Sequence, residues 1–451
     1  MVGSSKTGLI RIDHARWIVP VDGPPLGPGA WIARDQDGRV VETGVGSAAT
    51  GKSGSAATGK SGSAATGESG SAATGMTGSG RIPENECVPG DAPEVRGDAT
   101  TTTRHHGDVA ILPGLINAHT HLEFSDLSRP VGDPGMSLAD WIGQVIATRV
   151  GRDPASAIRA SVHGLTLSQR SGVAHVVDIT TPPVTIRDPS VTAMHEVLGL
   201  SDRRLTDRLA AAYDAIGGDA TSGLSPHAPY SIPRSAIDRV VELAVAKARP
   251  LAMHVAETPE ERELLFSKSG DGGSFGRSLD RLGLPWRDHF PWTTSDYVDL
   301  IDRLAGAPRT ILVHGNDLND AEIETLARHP NVCVAYCPRT HHYFGHTPHP
   351  IGRLWAAGVP VVIGTDSLAS NPDLSVWGEL QYLWKHRSDL NPELVLRAAT
   401  VDAADALGLT SLGRIVVGSR TPVFKVRATA STADGLWEDF AISDQPVLLP
   451  I

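Results

Sequence analysis

From Asp108 to about residue 410 the chain repeats one pattern eight times: a short apolar run, a polar or Gly-containing turn, then a stretch with apolar residues at helical spacing. The runs are VAILPGLINAHTH, GVAHVVDIT, TAMHEVLGL, TSGLSPHAPYS, PLAMHVAET, RTILVHGN, NVCVAYCP and VPVVIGTDS. Between them, segments such as SAIDRVVELAVAKA and DAEIETLARHP recur with the period of one helix face. Strands alternating with helices imply parallel βα units, and eight such units predict a closed (β/α)₈ barrel.

The chain ends read differently. Residues 1–45 alternate apolar and polar residues between Gly/Pro turns, the pattern of short antiparallel strands. Residues 411–451 return to strand-like pieces such as RIVVG and TPVFKV. The expected architecture is therefore α/β: a barrel over 108–410 and a small β-sandwich domain assembled from 1–45 and 411–451.

Residues 46–107 fit neither part and are expected to form one insert in a surface loop. SAATGKSG begins at Ser47 and Ser55, continues as SAATGESG from Ser63, and is truncated at Ser71. GSAATGKS matches the G-x-x-x-x-G-K-[ST] phosphate loop, but such a loop needs an apolar strand before it and a long helix after it. Only Gly, Ser, Ala and Thr surround it here, and Glu68 stands where the earlier copies carry Lys52 and Lys60. Such a composition behaves as a flexible coil, and a long surface insert costs a fold little. Nucleotide-driven chemistry is not expected from this repeat.

The net charge of −11, from 40 basic and 51 acidic residues, argues against non-specific nucleic-acid binding. No membrane-length apolar run and no signal-peptide pattern are visible. A soluble cytoplasmic protein is expected, without nucleic-acid or membrane partners. Cys87, Cys333 and Cys337 are too few and scattered for a disulfide framework or a cysteine zinc site.

Active sites of such barrels form at the C-terminal ends of the strands, and there this chain concentrates metal-competent residues. The first run ends His119-Thr120-His121, whose i, i+2 spacing on a strand puts both imidazoles on one face. The fourth ends at His227, the fifth at His254-Val255-Ala256-Glu257, the sixth at His314, and the eighth at Asp366. One strand-end His is commonly a hydrogen-bonded core residue, but no requirement of the fold places His or Asp at five strand mouths.

PGLINAHTHLEFSD, HVAET, LVHGN and GTDSLASN, in this order and at these strand positions, resemble the amidohydrolase superfamily of metal-dependent hydrolases. The resemblance covers about 108–410 and implies one divalent metal, Zn²⁺ or Fe²⁺, held by His119, His121, His254 and Asp366. Three imidazoles and a carboxylate suit either ion and leave a position for water. The resemblance makes Asp366 the general base towards that water, with His314 hydrogen-bonding it. The end of the fourth strand offers no Lys to bridge a second metal. The HxxE of His254 and Glu257 resembles the deaminase branch, in which the Glu protonates a ring nitrogen of a purine or pyrimidine. Glu257 also reads as the start of a helix in TPEERELL.

His227 lies where related nucleoside deaminases hold their substrate. CPRTHHYFGHTPHP, expected to be a loop after the seventh strand, offers Arg339, Thr340, His341 and Phe344 or Tyr343 as further substrate contacts. Its pattern resembles aminodeoxyfutalosine deaminases of menaquinone synthesis and their relatives. Glu123 either touches the substrate or closes a hydrogen bond at the strand end. The function expected is hydrolytic deamination of an adenine-type nucleoside: 6-amino-6-deoxyfutalosine first, then S-adenosylhomocysteine or methylthioadenosine. A chlorohydrolase or a cyclic-amide or triazine hydrolase on the same scaffold is the alternative, and a homodimer is common where the resemblance holds.

Overall fold

A computed structural model describes residues 9–47, 101–219 and 221–449. Most of the repeat and Cys87 lie outside the described residues.

Eight parallel strands follow one another around a barrel in sequence order: β1 (Leu115–Thr120), β2 (Val173–Thr180), β3 (Val191–Val197), β4 (Gly223–Pro226), β5 (Leu251–Val255), β6 (Thr310–His314), β7 (Val332–Tyr336) and β8 (Val361–Ile363). Each of the eight apolar runs supplies one of them. Alternation along the strands sorts side chains into two cores. Ile116, Ala118, Val177, Ile179, Ala252, Ile311, Val313, Cys333, Ala335 and Val362 cluster together and fill the barrel. Their neighbours Leu115, Val176, Met253, Leu312, Val334 and Val361 belong to the larger cluster that includes helix residues such as Ile237, Val240 and Leu300. The strands are thus buried on both faces, as parallel sheets require.

The barrel closes without a regular ladder between β8 and β1. The amides of Thr365 and Asp366 both donate to the carbonyl of His119, at 3.1 and 3.0 Å. Asn117 reinforces the seam, donating through Nδ2 to Thr365 Oγ1 at 2.8 Å. Gly364 is required there. A Cβ at this position would lie 2.8 Å from the His119 carbonyl oxygen and 2.9 Å from its Cβ.

The small domain comprises two four-stranded sheets. One orders the strands Val40–Val45, Ala30–Asp35, Ile10–Ala15 and Thr101–His105; the other orders Val447–Leu448, Val423–Arg427, Val109–Pro113 and Trp17–Ile18. Two expected boundaries shift as a result. VAILPGLINAHTH is two strands in different sheets, because Pro113-Gly114 ends the first, so the barrel begins at Leu115 and not at Asp108. Residues 101–105, read as insert, pair in parallel with Ile10–Ala15. In the tail, RIVVG carries no strand, while Leu436–Ile442 is helical. No helix among the described residues is long and apolar enough to cross a membrane.

Candidate active site

The C-terminal ends of the barrel strands bring His119, His121, His254, His314 and Asp366 together. The rings of His119 and His121 stand edge to face with centroids 5.0 Å apart, and His254 lies 5.0 Å from His119. Asp366 Oδ1 is 3.8 Å from His119 Nε2 and 3.9 Å from His121 Nε2. Ligand atoms of His119, His121 and Asp366 lie within 4.8 Å of one another, as do those of His119, His254 and His314. The i, i+2 reasoning for the first pair survives although β1 ends at Thr120 and its register shifts between Asn117 and Thr120.

The donor set fits a divalent metal. Neither ring nitrogen of His119 has a hydrogen-bond partner, nor has Nδ1 of His121, although all three atoms are buried. Such orphaned groups are costly without a ligand. Burial, then the neighbouring imidazoles, drive the pKa of His119 and His121 well below the ordinary range, and burial with His227 pushes His254 down to about 4. Neutral imidazoles keep the lone pairs that metal binding needs. The surroundings also fix which nitrogen is offered. His254 Nδ1 bonds the carbonyl of His227 at 2.7 Å, which leaves Nε2 for a metal. Asp366 is steadied by Ser370, whose hydroxyl donates to Oδ2 at 3.2 Å, and burial pushes its pKa up to about 7.

Backbone strain marks the same places. Ala256, His314 and Asp366, at the mouths of β5, β6 and β8, have φ of 55, 70 and 55°, where non-glycine residues rarely sit. Glu257 follows the first of them, with Oε1 at 3.5 Å from His314 Nε2. It is 5 % exposed. Burial and the nearby Asp366 raise its pKa well above the usual carboxylate range, which favours its protonated form. The following helix, Pro259–Phe266, has Thr258 as its N-cap, so Glu257 lies outside it.

Residues 110–421 match the profile of the Amidohydrolase family. The chain belongs to the amidohydrolase family. It is 26% identical over 368 residues to the aminodeoxyfutalosine deaminase of Deinococcus radiodurans, covering 76% of this chain and 82% of that one. It is 28% identical over 324 residues to a 5-methylthioadenosine/S-adenosylhomocysteine deaminase of Carboxydothermus hydrogenoformans, covering 68% of this chain and 69% of that one. Among solved structures, the aminofutalosine deaminase of Helicobacter pylori in complex with methylthio-coformycin superimposes with a TM-score of 0.71 at 20% identity, covering 97% of this chain and 98% of that one. The zinc complex of atrazine chlorohydrolase from Arthrobacter aurescens gives 0.63 at 17%, covering 96% and 91%.

In this amidohydrolase His121, His254, His314 and Asp366 line a cavity of about 810 Å³, with His119 buried behind them. His227 and Glu123 line it. His227 bonds Ser231 Oγ through Nδ1 at 2.7 Å, and Glu123 pairs with Arg149. Trp141, Ile142, Phe275, Leu279 and Leu284 give it an apolar wall, while Glu196, Arg204 and Arg208 add charge.

The structure does not bring Arg339, Thr340, His341 or Phe344 to that wall. Their segment is not a loop but a helix, Pro338–Phe344, with Pro in its first turn and left-handed Gly345 at its end. The guanidinium of Arg339 is spent on Glu379 at 2.7 Å and Asp373 at 2.6 Å. Thr340 bonds Ser370 at 3.0 Å and so backs Asp366 at one remove. His341 Nε2 bonds the Thr347 carbonyl at 2.8 Å. Phe344 packs edge-on behind Trp141, centroids 5.3 Å apart, and Tyr343 donates its hydroxyl to the Val131 carbonyl. Sequence reasoning missed Glu196, Arg149, Arg204 and Arg208. Glu196, two residues before Leu198, was visible as a carboxylate near the end of an apolar run. The arginines lie on helices, where nothing in their spacing sets them apart from surface charge.

Replacing Gly364 by Ala tests the closure. The new Cβ would press on the backbone of His119, and overpacking of this kind costs about 1–3 kcal/mol. Urea unfolding should show that loss, and metal retention should weaken with it.

Proposed function

We propose that this amidohydrolase is a metal-dependent deaminase of adenine-type nucleosides bearing a modified 5′ position. The observation that carries the reading is the buried Glu257, its carboxyl 3.5 Å from His314 Nε2 and set beside the imidazole and carboxylate cluster. A purine ring nitrogen needs a proton before its amino-bearing carbon accepts water, and the raised pKa of Glu257 favours the acid form that can give one.

His119, His121, His254 and Asp366 would hold the metal, with Zn²⁺ the fitting ion and Fe²⁺ the alternative for this nitrogen and oxygen set. When bound, it supplies the Lewis acidity that makes water nucleophilic at neutral pH. Asp366, with a pKa near the working pH, accepts the water's proton at a carboxylate oxygen. His314 orients that water through Nε2. Glu257 gives its proton to the ring nitrogen as the new C–O bond forms. The C–N bond then breaks, ammonia leaving with the proton Asp366 accepted, while the hydroxyl proton returns to Glu257 and the carbonyl forms. Relatives named as deaminases of aminodeoxyfutalosine and of methylthioadenosine or S-adenosylhomocysteine support this reading.

The cavity supports the nucleoside class. Its volume is ample for a ligand of this size. Glu196 and the Glu123–Arg149 pair offer the cavity polar groups for ribose hydroxyls, and the apolar wall of Trp141, Ile142 and Leu279 suits a hydrophobic 5′ substituent. Of the candidates, 6-amino-6-deoxyfutalosine comes first. The test is ammonia release by metal-loaded enzyme from that nucleoside, S-adenosylhomocysteine and methylthioadenosine in parallel. Turnover of at least one is expected. Silence on all three, with chloride released from atrazine instead, would move the reading to chlorohydrolase chemistry.

A further inference from the structure

The helix Pro259–Phe266 begins with the pattern of a capping box. Thr258 is its N-cap and accepts the amide of Glu261 through Oγ1 at 3.2 Å. In a capping box the N3 carboxylate turns back to the N-cap amide. Asn319 and Glu322 do this one unit later, Glu322 Oε2 accepting the Asn319 amide at 2.8 Å. Glu261 does not. It reaches past Thr258, and its two oxygens accept the amides of Ala256 at 3.1 Å and Glu257 at 3.0 Å.

The bypass holds the backbone of Glu257 from both sides. Ala256, with its left-handed φ of 55°, offers its carbonyl to the Asp317 amide at 2.8 Å. Asn316 Nδ2 donates to the Glu257 carbonyl at 3.1 Å. Glu261 is itself fully buried, at 0 % exposure, and the Tyr297 hydroxyl donates to its Oε1 at 2.9 Å. Tyr297 is fixed in turn, since its amide donates to Glu322 Oε1 at 3.0 Å. Arg262 joins that Glu322, at 2.8 Å, to Asp317, at 2.7 Å. Burying a carboxylate is costly unless it is hydrogen-bonded, and a local helix cap needs only Thr258. The carboxylate is spent on the two residues that aim Glu257.

We propose that Glu261 is the positioning residue of this site, its carboxylate setting the direction in which Glu257 enters the cavity. The inference rests on the deaminase reading of Glu257 and adds to it the part that holds the acid still. Misplacing a catalytic group by about 1 Å costs up to about 10²-fold, so a clamp on its backbone has a measurable kinetic signature.

The test is Glu261→Gln in the full-length, metal-loaded enzyme with methylthioadenosine. Gln keeps the shape but turns an amide NH₂ towards one of the two backbone N–H groups. We expect kcat to fall by about tenfold or more with KM within about twofold, the mark of an interaction realised in the transition state. Metal content should be unchanged. On a Glu257→Gln background the same substitution should cost almost nothing further, because the acid it aims is gone. Amide exchange of the 254–258 segment should speed up by about tenfold. A wild-type kcat, an equal further loss on the Glu257→Gln background, or unchanged exchange would overturn the proposal. If Glu261→Gln does not fold, Tyr297→Phe removes the hydroxyl that holds Oε1. It should lower kcat about threefold at constant KM, and a wild-type kcat there overturns it equally. An enzyme inert towards every adenine nucleoside would sink the deaminase reading, and the exchange measurement would still decide the clamp.

Discussion

Glu257→Gln is expected to lose about 10²- to 10⁴-fold in turnover of an adenine nucleoside while keeping its metal and its fold. That is the range in which a positioned general acid contributes. The substituted amide preserves volume and hydrogen-bonding capacity but has no proton to give to a ring nitrogen. The loss should fall mainly on kcat, since the purine still fills the same cavity. The pH profile gives a second check. Burial and Asp366 raise the Glu257 pKa, so the acid form persists to higher pH than in an ordinary carboxylate and activity is lost as pH rises through that raised value. This alkaline limb should vanish in the variant. A variant retaining most of the wild-type rate would remove Glu257 from the reaction and point to displacement chemistry that needs no ring protonation.

His119→Ala is expected to take the metal and the activity together. His119 is shared by both groups of potential ligands, and its ring nitrogens have no other partner. Metal per chain, measured on protein purified without chelator, should drop from near one to near none. A ligand bound at about a thousandfold its Kd stabilises the folded state by about 4 kcal/mol. Chelator should therefore lower the unfolding temperature of the wild type markedly and leave that of His119→Ala unmoved. Stoichiometric metal in the variant would show that His121, His254 and Asp366 suffice without His119, and the ligand set would need redrawing.

Much of the fold and the floor of the site was legible in the sequence because both rest on local spacing. Eight apolar runs mark eight strands, and His119-x-His121 places two imidazoles together without knowledge of the rest of the chain. His254, His314 and Asp366 were found because each ends a run. Arg339 shows where this reasoning stops. It stood in a segment rich in His and aromatic residues and looked like a specificity element. Its partners Asp373 and Glu379 lie 34 and 40 residues further on, and no local pattern reveals that its charge is already used. The cavity wall was hidden for the opposite reason. Trp141 and Arg149 sit on the helix Leu138–Arg149, which reads as an ordinary surface helix until the barrel places it over the mouth. The Pro113-Gly114 break was misread because two strands of different sheets abut without a polar spacer.

The seam between the first and last strands has a consequence in time. His119 and Asp366 lie at opposite ends of the barrel sequence, joined through one carbonyl. During synthesis the first imidazoles emerge early, and their carboxylate partner emerges about 250 residues later. The base of the seam waits longer still, since Ile116 and Ile363 donate to the carbonyls of Ala399 and Ala398. A nascent chain halted anywhere before residue 366 carries the histidines of the proposed metal site but lacks its carboxylate. On the proposed ligand set, metal loading would therefore wait for the eighth strand and its Asp366.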